Sequence, residues 1–333
     1  MDNTKPHIVD RFGRIHDYLR ISLTERCNLR CFYCMPEEGI QLREKAEFMT
    51  SEELLSIART FVGMGVKKIR LTGGEPLVKK GFDHLIRDLG KLPVELAITT
   101  NAILIDKYLD DLIEAGVKNV NVSLDSLKEE RFNTISRRNY FLKIRENIDL
   151  LIRNNFNVKI NVVLMRGVND DEIIDFIEWT RHEQIQVRFI EFMPFDGNNW
   201  NIEKKVSLKE VMDVVSNYYN ENEVVKIEDS KNDTCKNYKI KDAKGSFGII
   251  SSVTNPFCST CNRIRLTADG KIKNCLFSQT ETDLLKAFRT GEELEHLIID
   301  SIQSKFKERG GFVDFSVESV KRMKNRTMIA IGG

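Results

Sequence analysis

The sequence contains no apolar run long enough to span a bilayer, and its amino terminus lacks the apolar core of a signal peptide. It also lacks an excess of either charge, since 51 Lys and Arg face 50 Asp and Glu and the formal net charge is +1. Its electrostatics therefore do not indicate binding to nucleic acid or to a membrane. We expect a soluble, cytoplasmic protein whose 333 residues form one large domain or two.

Several catalytic motifs are missing as well. No Gly-x-Ser-x-Gly, Walker loop or His-Glu-x-x-His is present, so the hydrolase and P-loop classes lack support. Repeats and low-complexity tracts are also absent from the sequence. What the sequence does contain is seven cysteines, six of them in two sets of three. An odd number clustered in this way favours metal centres in a reducing compartment over a disulfide framework.

The first set, Cys27, Cys31 and Cys34, forms a Cys-x3-Cys-x2-Cys loop directly after the strand-like residues 18–23. Iron–sulfur clusters are held by cysteine thiolates, normally four for a cube of four irons. Three cysteines would leave one iron open to a small ligand, as in a reactive site rather than a structural one. Zinc is the alternative, but structural zinc needs a fourth ligand, and no cysteine follows Cys34 before Cys235.

The second set, Cys258, Cys261 and Cys275, has the spacing Cys-x2-Cys-x13-Cys. Between its last two members, Asp269-Gly270 predicts a β-hairpin that folds Cys275 back toward the others. The layout also resembles a zinc ribbon in which Cys235 supplies the fourth ligand. Spacing alone leaves zinc and iron–sulfur equally open at this site.

Strand-like and helix-like segments alternate from residue 18 onward. Repeated βα units predict an α/β fold with a parallel sheet, either an open partial barrel or a doubly wound sheet. The alternation stops near residues 198–207, where we place a boundary before a carboxy-terminal region. The predicted strands are residues 19–23, 67–72, 94–99, 117–123, 158–164 and 186–192, and the predicted helices are residues 51–62, 83–92, 105–115, 128–154 with a break near 136, 170–182 and 208–219.

Polar residues gather where these strands end. Gly73-Gly74-Glu75-Pro76 follows the second strand, Thr99 ends the third, Ser123 ends the fourth, and Met193 follows the sixth. Proteins with parallel sheets build their sites at the carboxyl ends of the strands. An ordinary turn is the alternative for Gly-Gly-Glu-Pro, because Gly and Pro dominate turns.

Basic residues lie inside otherwise apolar strands, namely Arg20, Lys68, Arg70, Lys159 and Arg188. A buried unpaired charge is costly, so each of them could pair with a carboxylate or reach the end of its strand. Five basic residues spread over four strands instead suggest a lumen that binds an anion. Arg and Lys side chains suit a polyphosphate.

The first cysteine loop, with Tyr33 before its last cysteine, resembles the cluster-binding loop of the radical S-adenosyl-L-methionine (SAM) enzymes. The resemblance implies a 4Fe-4S cluster on Cys27, Cys31 and Cys34 whose open iron binds SAM. The resemblance also implies that Thr99 points toward the substrate. The match is imperfect at Ala102, where these enzymes more often have Gly. The implied SAM contacts are Tyr33, Gly74, Glu75, Ser123 and Met193.

From residue 10 to the end, the motifs and their order resemble the GTP 3',8-cyclase family of molybdenum cofactor biosynthesis. The resemblance implies an incomplete (β/α)6 barrel, residues 10–197, whose open side is closed by a carboxy-terminal region, residues 198–333. It also implies a second 4Fe-4S cluster on Cys258, Cys261 and Cys275, with Cys235 as a bystander. The terminal Gly332-Gly333 is expected to approach the active site, a frayed end being the alternative. The implied GTP-binding residues are Arg20, Lys68, Arg70, Thr99, Lys159, Arg188, Arg263 and Arg265.

The implied activity is that of a lyase that converts GTP to (8S)-3',8-cyclo-7,8-dihydroguanosine 5'-triphosphate. In this chemistry SAM is cleaved reductively, and the deoxyadenosyl radical removes hydrogen from the ribose 3' carbon, which then bonds to guanine carbon 8. The implied partners are a flavodoxin- or ferredoxin-like electron donor and a downstream cyclic pyranopterin monophosphate synthase. The oligomeric state is left open, a homodimer being one option. Two alternatives remain, a radical SAM enzyme that modifies a peptide and a non-catalytic zinc-binding interaction protein.

Overall fold

The structure of the chain is a computed structural model that describes residues 7–35, 43–312, 314–322 and 325–332. The described residues contain one sheet of twelve strands with helices packed against it. The strands are β1 Tyr18–Ser22, β2 Lys68–Thr72, β3 Glu95–Thr100, β4 Asn119–Ser123, β5 Asn157–Leu164, β6 Ile185–Glu191, β7 Val224–Lys226, β8 Lys236–Ile240, β9 Ser246–Ile250, β10 Arg263–Leu266, β11 Lys271–Lys273 and β12 Thr282–Asp283.

The α-helices follow the strands in the order that the sequence pattern predicts. The helix that begins after Thr50 is fixed by a capping box, in which the Thr50 hydroxyl accepts from the Glu53 amide and the Glu53 carboxylate accepts from the Thr50 amide. The helices are α1 Ser51–Gly63, α2 Phe82–Gly90, α3 Ile105–Glu114, α4 Glu129–Ser136, α5 Phe141–Arg153, α6 Ile173–His182, α7 Leu208–Tyr218, α8 Leu284–Thr290, α9 Glu295–Gln303, α10 Val317–Arg322 and α11 Met328–Ile331.

The strand order is β12-β11-β10-β1-β2-β3-β4-β5-β6-β9-β8-β7. Every neighbouring pair from β10 to β9 is parallel, and the two outer strands at each end are antiparallel. The sheet is open, because β12 and β7 form its two edges and do not pair in the described part of the chain. The parallel β1–β6 unit agrees with the expected incomplete (β/α)6 barrel.

The six predicted core strands are all present, each within two residues of the predicted bounds. The predicted break near residue 136 is also present, since α4 ends at Ser136 and Arg137 takes a left-handed conformation with φ of 53°. Both features depend on local patterns, the two-residue alternation of strands and the capping of helices.

The carboxy-terminal region adds strands at both ends of the core sheet. The strand β10 pairs with β1, and β9 pairs with β6, so the parallel part of the sheet grows at each end. The Arg263 guanidinium at the start of β10 donates to the Asn232 carbonyl, 3.0 Å away in the segment before β8, and so links the two ends. This region therefore extends the sheet as well as spanning its open side.

The two faces of the sheet differ in character. Along β5 and β6, fully buried residues such as Ile160 and Val187 alternate with half-buried ones such as Lys159 and Arg188. The buried residues join a single large core with residues of the outer helices. The opposite face, which carries Arg20, Arg70, Lys159 and Arg188, is called the lumen face below. Among the described residues, no helix is long and apolar enough to cross a membrane.

Candidate active site

The first cysteine loop begins where β1 ends and is fastened on two sides. The segment after β2 holds one side, where the Gly74 amide donates to the Thr24 carbonyl at 2.7 Å and the Glu75 amide donates to the Arg26 carbonyl at 2.8 Å. The end of α4 holds the other side, where the Arg30 amide donates to the Ser136 carbonyl at 2.9 Å. The positions of Cys27, Cys31 and Cys34 are thus set by neighbouring βα units.

The three thiols of this loop lie close enough to oppose each other's ionisation. Burial raises the pKa of Cys27 to about 11, with a further contribution from Glu75. Burial likewise raises the pKa of Cys34 to about 12, with contributions from Cys27 and Asp125. The pKa of Cys31 is also raised, first by burial and then by Asp125 and the other two thiols. Three thiolates would therefore need a cationic centre, and thiolates are the donors that iron–sulfur clusters use.

The two glycines after β2 are required by the cysteine loop itself. A Cβ on Gly74 would collide with the Arg26 carbonyl, and a Cβ on Gly73 would lie 2.7 Å from the Thr24 carbonyl oxygen. The neighbouring Glu75 is 1% exposed and accepts from the Thr100 hydroxyl and the Asn101 amide, both at 2.7 Å. Burial raises the pKa of the Glu75 carboxyl to about 7. Glu75 thus joins the ends of β2 and β3 beside the cysteine loop.

The other residues assigned to SAM lie at the ends of further strands. The Tyr33 hydroxyl donates to Asp125 at 2.6 Å, and Asp125 also accepts from the Val163 amide at 2.8 Å. Ser123 ends β4 and is half-buried. Met193 follows β6 and packs against a small second core of Val253, Phe277 and Phe315.

The register of the sheet aligns the basic residues in rows across the lumen face. Tyr18 of β1 lies between Arg263 of β10 and Lys68 of β2. One step along the same face, Arg20 lies between Arg265 and Arg70. On the other side of the lumen, Thr99, Asn121, Lys159 and Gln186 form a row, and Asn161 pairs with Arg188. The eight residues assigned to GTP therefore lie on one face.

The contacts of these cations show whether each one pairs with a carboxylate of the protein or is left to bind an anion. Lys68 does have a carboxylate partner, Glu95 at 2.7 Å, so the ion-pair alternative holds for that residue. Among the described residues, no carboxylate oxygen lies within 4.0 Å of Arg70, Lys159, Arg188, Arg263 or Arg265. Arg70 instead donates to the Ile98 carbonyl and Arg188 to the Asn161 amide oxygen, both at 2.7 Å. For these five residues the contacts favour the anion-binding interpretation over ion pairs within the protein.

Buried donors that have no hydrogen-bond partner among the described residues point the same way. They are the Nε of Arg188, the Nε and Nη1 of Arg265 and the Thr99 hydroxyl. Burial lowers the pKa of Arg20 to about 9 and that of Arg188 to about 10, and neighbouring arginines contribute in both cases. Unsatisfied donors and destabilised cations are what a bound polyphosphate would relieve.

The second cysteine set is brought together by the predicted hairpin. Cys258 and Cys261 precede β10, and the antiparallel β10–β11 pair returns the chain so that Cys275 meets them. The three line a cavity of about 80 Å³ together with Arg263 and Arg265. This cavity lies at the end of the β10 cation row, so the second set borders the lumen.

Two hydrogen-bond donors, one of them positively charged, contact the sulfurs of this set. The buried Lys305 ammonium donates to the Cys261 sulfur at 3.6 Å, and the Arg309 amide donates to the Cys258 sulfur at 3.4 Å. Burial opposes ionisation of Cys261, but the charges of Lys305 and Arg263 outweigh it and lower its pKa to about 7. The site is therefore suited to thiolate ligands.

The fourth-ligand alternative, Cys235, lies elsewhere. It is 2% exposed, does not line the cavity, and packs so closely on β9 that a Cβ on Gly248 would collide with its sulfur. Within the described residues, no group of three His, Cys, Asp or Glu side chains could hold a single metal ion.

The carboxy terminus returns to the mouth of the barrel. Ile329 and Ile331 of α11 are buried, and a Cβ on Gly332 would lie 2.6 Å from the Thr72 hydroxyl at the end of β2. Gly332 thus contacts the carboxyl ends of the core strands, as expected, whereas Gly333 lies outside the described residues.

Several residues of this site were not selected from the sequence, among them Tyr18, Asn121, Asn161 and Lys305. Tyr18 lies two residues before Arg20 and Asn161 two after Lys159, so two-residue alternation could have found them. Asn121 lies two residues before Ser123 in the same way. Lys305 is distant in the chain from Cys261, and no local pattern connects the two.

Comparison with known proteins agrees with this arrangement. The Radical SAM superfamily model matches residues 21–180, and the Molybdenum Cofactor Synthesis C model matches residues 185–310. A crystal structure of Streptococcus suis SuiB bound to S-adenosylmethionine has a TM-score of 0.62 at 16% identity and covers 87% of this chain and 69% of that one, which is a likeness of fold. Residues 21–180 therefore form a radical SAM domain.

Curated relatives narrow the family further. A GTP 3',8-cyclase from Peptoclostridium acidaminophilum is 43% identical over 338 residues, covering all of both chains. The Molybdenum cofactor biosynthesis protein 1 of Dictyostelium discoideum is also 43% identical, but the chain spans about half of it, 53%. The chain belongs to the GTP 3',8-cyclase family.

Proposed function

We propose that the chain is a GTP 3',8-cyclase that converts GTP to (8S)-3',8-cyclo-7,8-dihydroguanosine 5'-triphosphate in the first step of molybdenum cofactor biosynthesis. The observation that carries this proposal is the lumen face, where Arg70, Lys159, Arg188, Arg263 and Arg265 have no carboxylate within 4.0 Å among the described residues. Two of these cations, Arg263 and Arg265, line a cavity with the second set of cysteines. A triphosphate supplies the missing negative charge, and guanidinium forks suit its oxygens.

Cys27, Cys31 and Cys34 would hold the first 4Fe-4S cluster, with SAM beside Tyr33, Gly74, Glu75, Ser123 and Met193. When bound, this pair supplies one-electron chemistry that generates a carbon radical. The chain's own part is to fix the loop through Gly73 and Gly74, and to hold Tyr33 through Asp125.

Cys258, Cys261 and Cys275 would hold a second 4Fe-4S cluster at the other side of the lumen. The Lys305 ammonium on Cys261 and the Arg309 amide on Cys258 favour thiolate ligands there. By resemblance to the GTP 3',8-cyclase family, we assign this site to the guanine end of GTP. Arg20 and Thr99 complete the proposed nucleotide contacts.

The proposal includes the wider context that the sequence suggested. We assign the enzyme to the lyases, in the cytoplasm, with a flavodoxin- or ferredoxin-like electron donor and a cyclic pyranopterin monophosphate synthase acting next. A homodimer remains one option for its assembly. We also retain the division into a core, residues 10–197, and a carboxy-terminal region, residues 198–333.

The test is anaerobic reconstitution with iron and sulfide, followed by incubation with SAM, a reductant and GTP. We expect about eight irons per chain, deoxyadenosine, and a cyclised nucleotide identified by mass and NMR spectroscopy. The matched control replaces Cys27, Cys31 and Cys34 with Ala, which should leave the second cluster but stop SAM cleavage. Zinc without acid-labile sulfide, or deoxyadenosine without any change in GTP, would refute the proposal.

A further inference from the structure

Tyr18 occupies the centre of a row of cations and has no role in the function described so far. It is the first residue of β1 and lies between Arg263 and Lys68 on the neighbouring strands. The next residue on its face, Arg20, lies between Arg265 and Arg70. Of the six residues in these two rows, Tyr18 is therefore the one that is not basic.

The contacts of Tyr18 leave its hydroxyl proton available. The Arg70 Nε donates to the Tyr18 oxygen at 2.6 Å, while the Lys68 ammonium lies 5.5 Å from the ring centroid. Among the described residues, the hydroxyl forms no second hydrogen bond that would accept its own proton. Since a phenol both accepts and donates, a free donor here faces the same anion as the arginines.

The surrounding charges act on Tyr18 from three strands. They are Arg20 on its own strand, Arg263 and Arg265 on β10, and Lys68 and Arg70 on β2, with Glu95 of β3 paired to Lys68. Burial opposes ionisation of the phenol, but the charges of Arg70, Arg20 and Lys68 outweigh it and lower its pKa to about 7. Without a bound anion, the phenol thus partly neutralises the cations.

We propose that Tyr18 is a nucleotide-binding residue whose hydroxyl accepts from Arg70 and donates its proton to a phosphate oxygen of the substrate. The proposal rests on the proposed function, because it takes the anion of the lumen to be GTP. A phosphate that brings its own negative charge restores the phenol to its neutral form. GTP binding should therefore take up a proton wherever the free enzyme holds Tyr18 ionised.

The test compares the reconstituted wild-type enzyme with Tyr18→Phe, which keeps the ring on Lys68 and removes only the hydroxyl. At about pH 6 the phenol is neutral, and loss of one hydrogen bond to a charged acceptor should weaken GTP binding roughly tenfold. At about pH 8 the wild type must first protonate Tyr18, at a cost of roughly tenfold in affinity, so the two affinities should converge. A purely structural role would give a ratio independent of pH.

Calorimetry in two buffers of different ionisation enthalpy measures the proton directly. We expect uptake of close to one proton by the wild type at about pH 8, and none by Tyr18→Phe, with exposed Tyr140→Phe behaving as wild type. If Tyr18→Phe loses iron, the uptake by the wild type alone decides the matter. A wild type that binds GTP without proton uptake would overturn this inference, whereas a wild type that binds no GTP would overturn the proposed function instead.

Discussion

Arg188 offers a variant in which stability and function should change in opposite directions. Its guanidinium donates to Asn161 at 2.7 Å, and its Nε has no partner in the described part of the chain. Burial together with Arg70 lowers the pKa of Arg188 to about 10. Replacement by Met keeps an unbranched side chain of similar length but removes the charge. We expect Arg188→Met to stabilise the nucleotide-free protein and to weaken its binding of GTP.

The magnitude follows from the pKa. A fall from 12.5 to about 10 corresponds to roughly 3 kcal/mol of unfavourable free energy for the charged form in the folded protein. Losing the hydrogen bond to Asn161 costs about 1 kcal/mol. The net gain in the free energy of unfolding should therefore be about 2 kcal/mol, which for a chain of this size raises the melting temperature by a few degrees.

The affinity for GTP should change in the opposite direction and become weaker in Arg188→Met. A hydrogen bond between charged partners contributes about 1.5–3 kcal/mol, so its loss should weaken GTP binding roughly ten- to a hundredfold. Equilibrium dialysis measures the affinity, and thermal unfolding of the reconstituted protein with and without GTP measures the stability. The matched control is Arg153→Met, which removes an exposed arginine at the end of α5 and should change stability by less than about 0.5 kcal/mol.

Two results would refute this reasoning. If Arg188→Met were less stable than the wild type while GTP binding stayed unchanged, the charge would serve the fold rather than the substrate. If both variants lost GTP binding equally, the general positive charge of the protein would be responsible, and not its position on the lumen face.

Three further predictions concern residues outside the lumen rows. His16 is 1% exposed, and burial together with the charge of Lys305 lowers its pKa from 6.5 to about 4, so unfolding takes up a proton between these values. The free energy of unfolding should therefore fall by about 1.4 kcal/mol from about pH 7.5 to 5.5, and thermal unfolding of His16→Asn should lack this slope. Cys235→Ala should retain the iron content of the wild type, whereas Cys275→Ala should lose the second cluster. Equal loss of iron in both variants would instead favour the zinc ribbon. Lys305→Met should lower the midpoint potential of the second cluster by roughly 60 mV, since a charged hydrogen bond to a ligand sulfur favours the reduced state. An EPR redox titration measures the shift, exposed Lys307→Met is its control, and an unchanged midpoint would contradict the role of Lys305.

Ala102 shows what sequence comparison could foresee and what it could not. Its departure from the Gly expected at this position identified an unusual site, and the structure gives the reason, because Ala102 has φ of 64° and is fully buried. An L-residue in this conformation costs about 1–2 kcal/mol, which a glycine avoids. The sequence indicated the exception, but the backbone angle that explains it comes only from the folded chain.

The core strands were predictable because their signals are local, whereas the rows of cations were not. Arg263 and Arg265 are adjacent to β1 only because β10, more than two hundred residues further along, pairs with β1 in parallel. No periodicity within β10 reveals that partner or its register. The two-residue alternation with Arg20 could have selected Tyr18, but its position between two cations appears only once three strands are aligned.

The construction of β10 explains how the site tolerates its own charge. Along this strand Arg263 and Arg265 face the lumen, while Ile264 and Leu266 face the core and are fully buried. Burial of two such side chains contributes about 3–6 kcal/mol, which can offset the repulsion among the cations of β10, β1 and β2. Without an anion the repulsion remains and opposes the pairing of β10 with β1. A bound triphosphate would remove it, so the substrate should hold the carboxy-terminal region against the core as well as occupy the lumen.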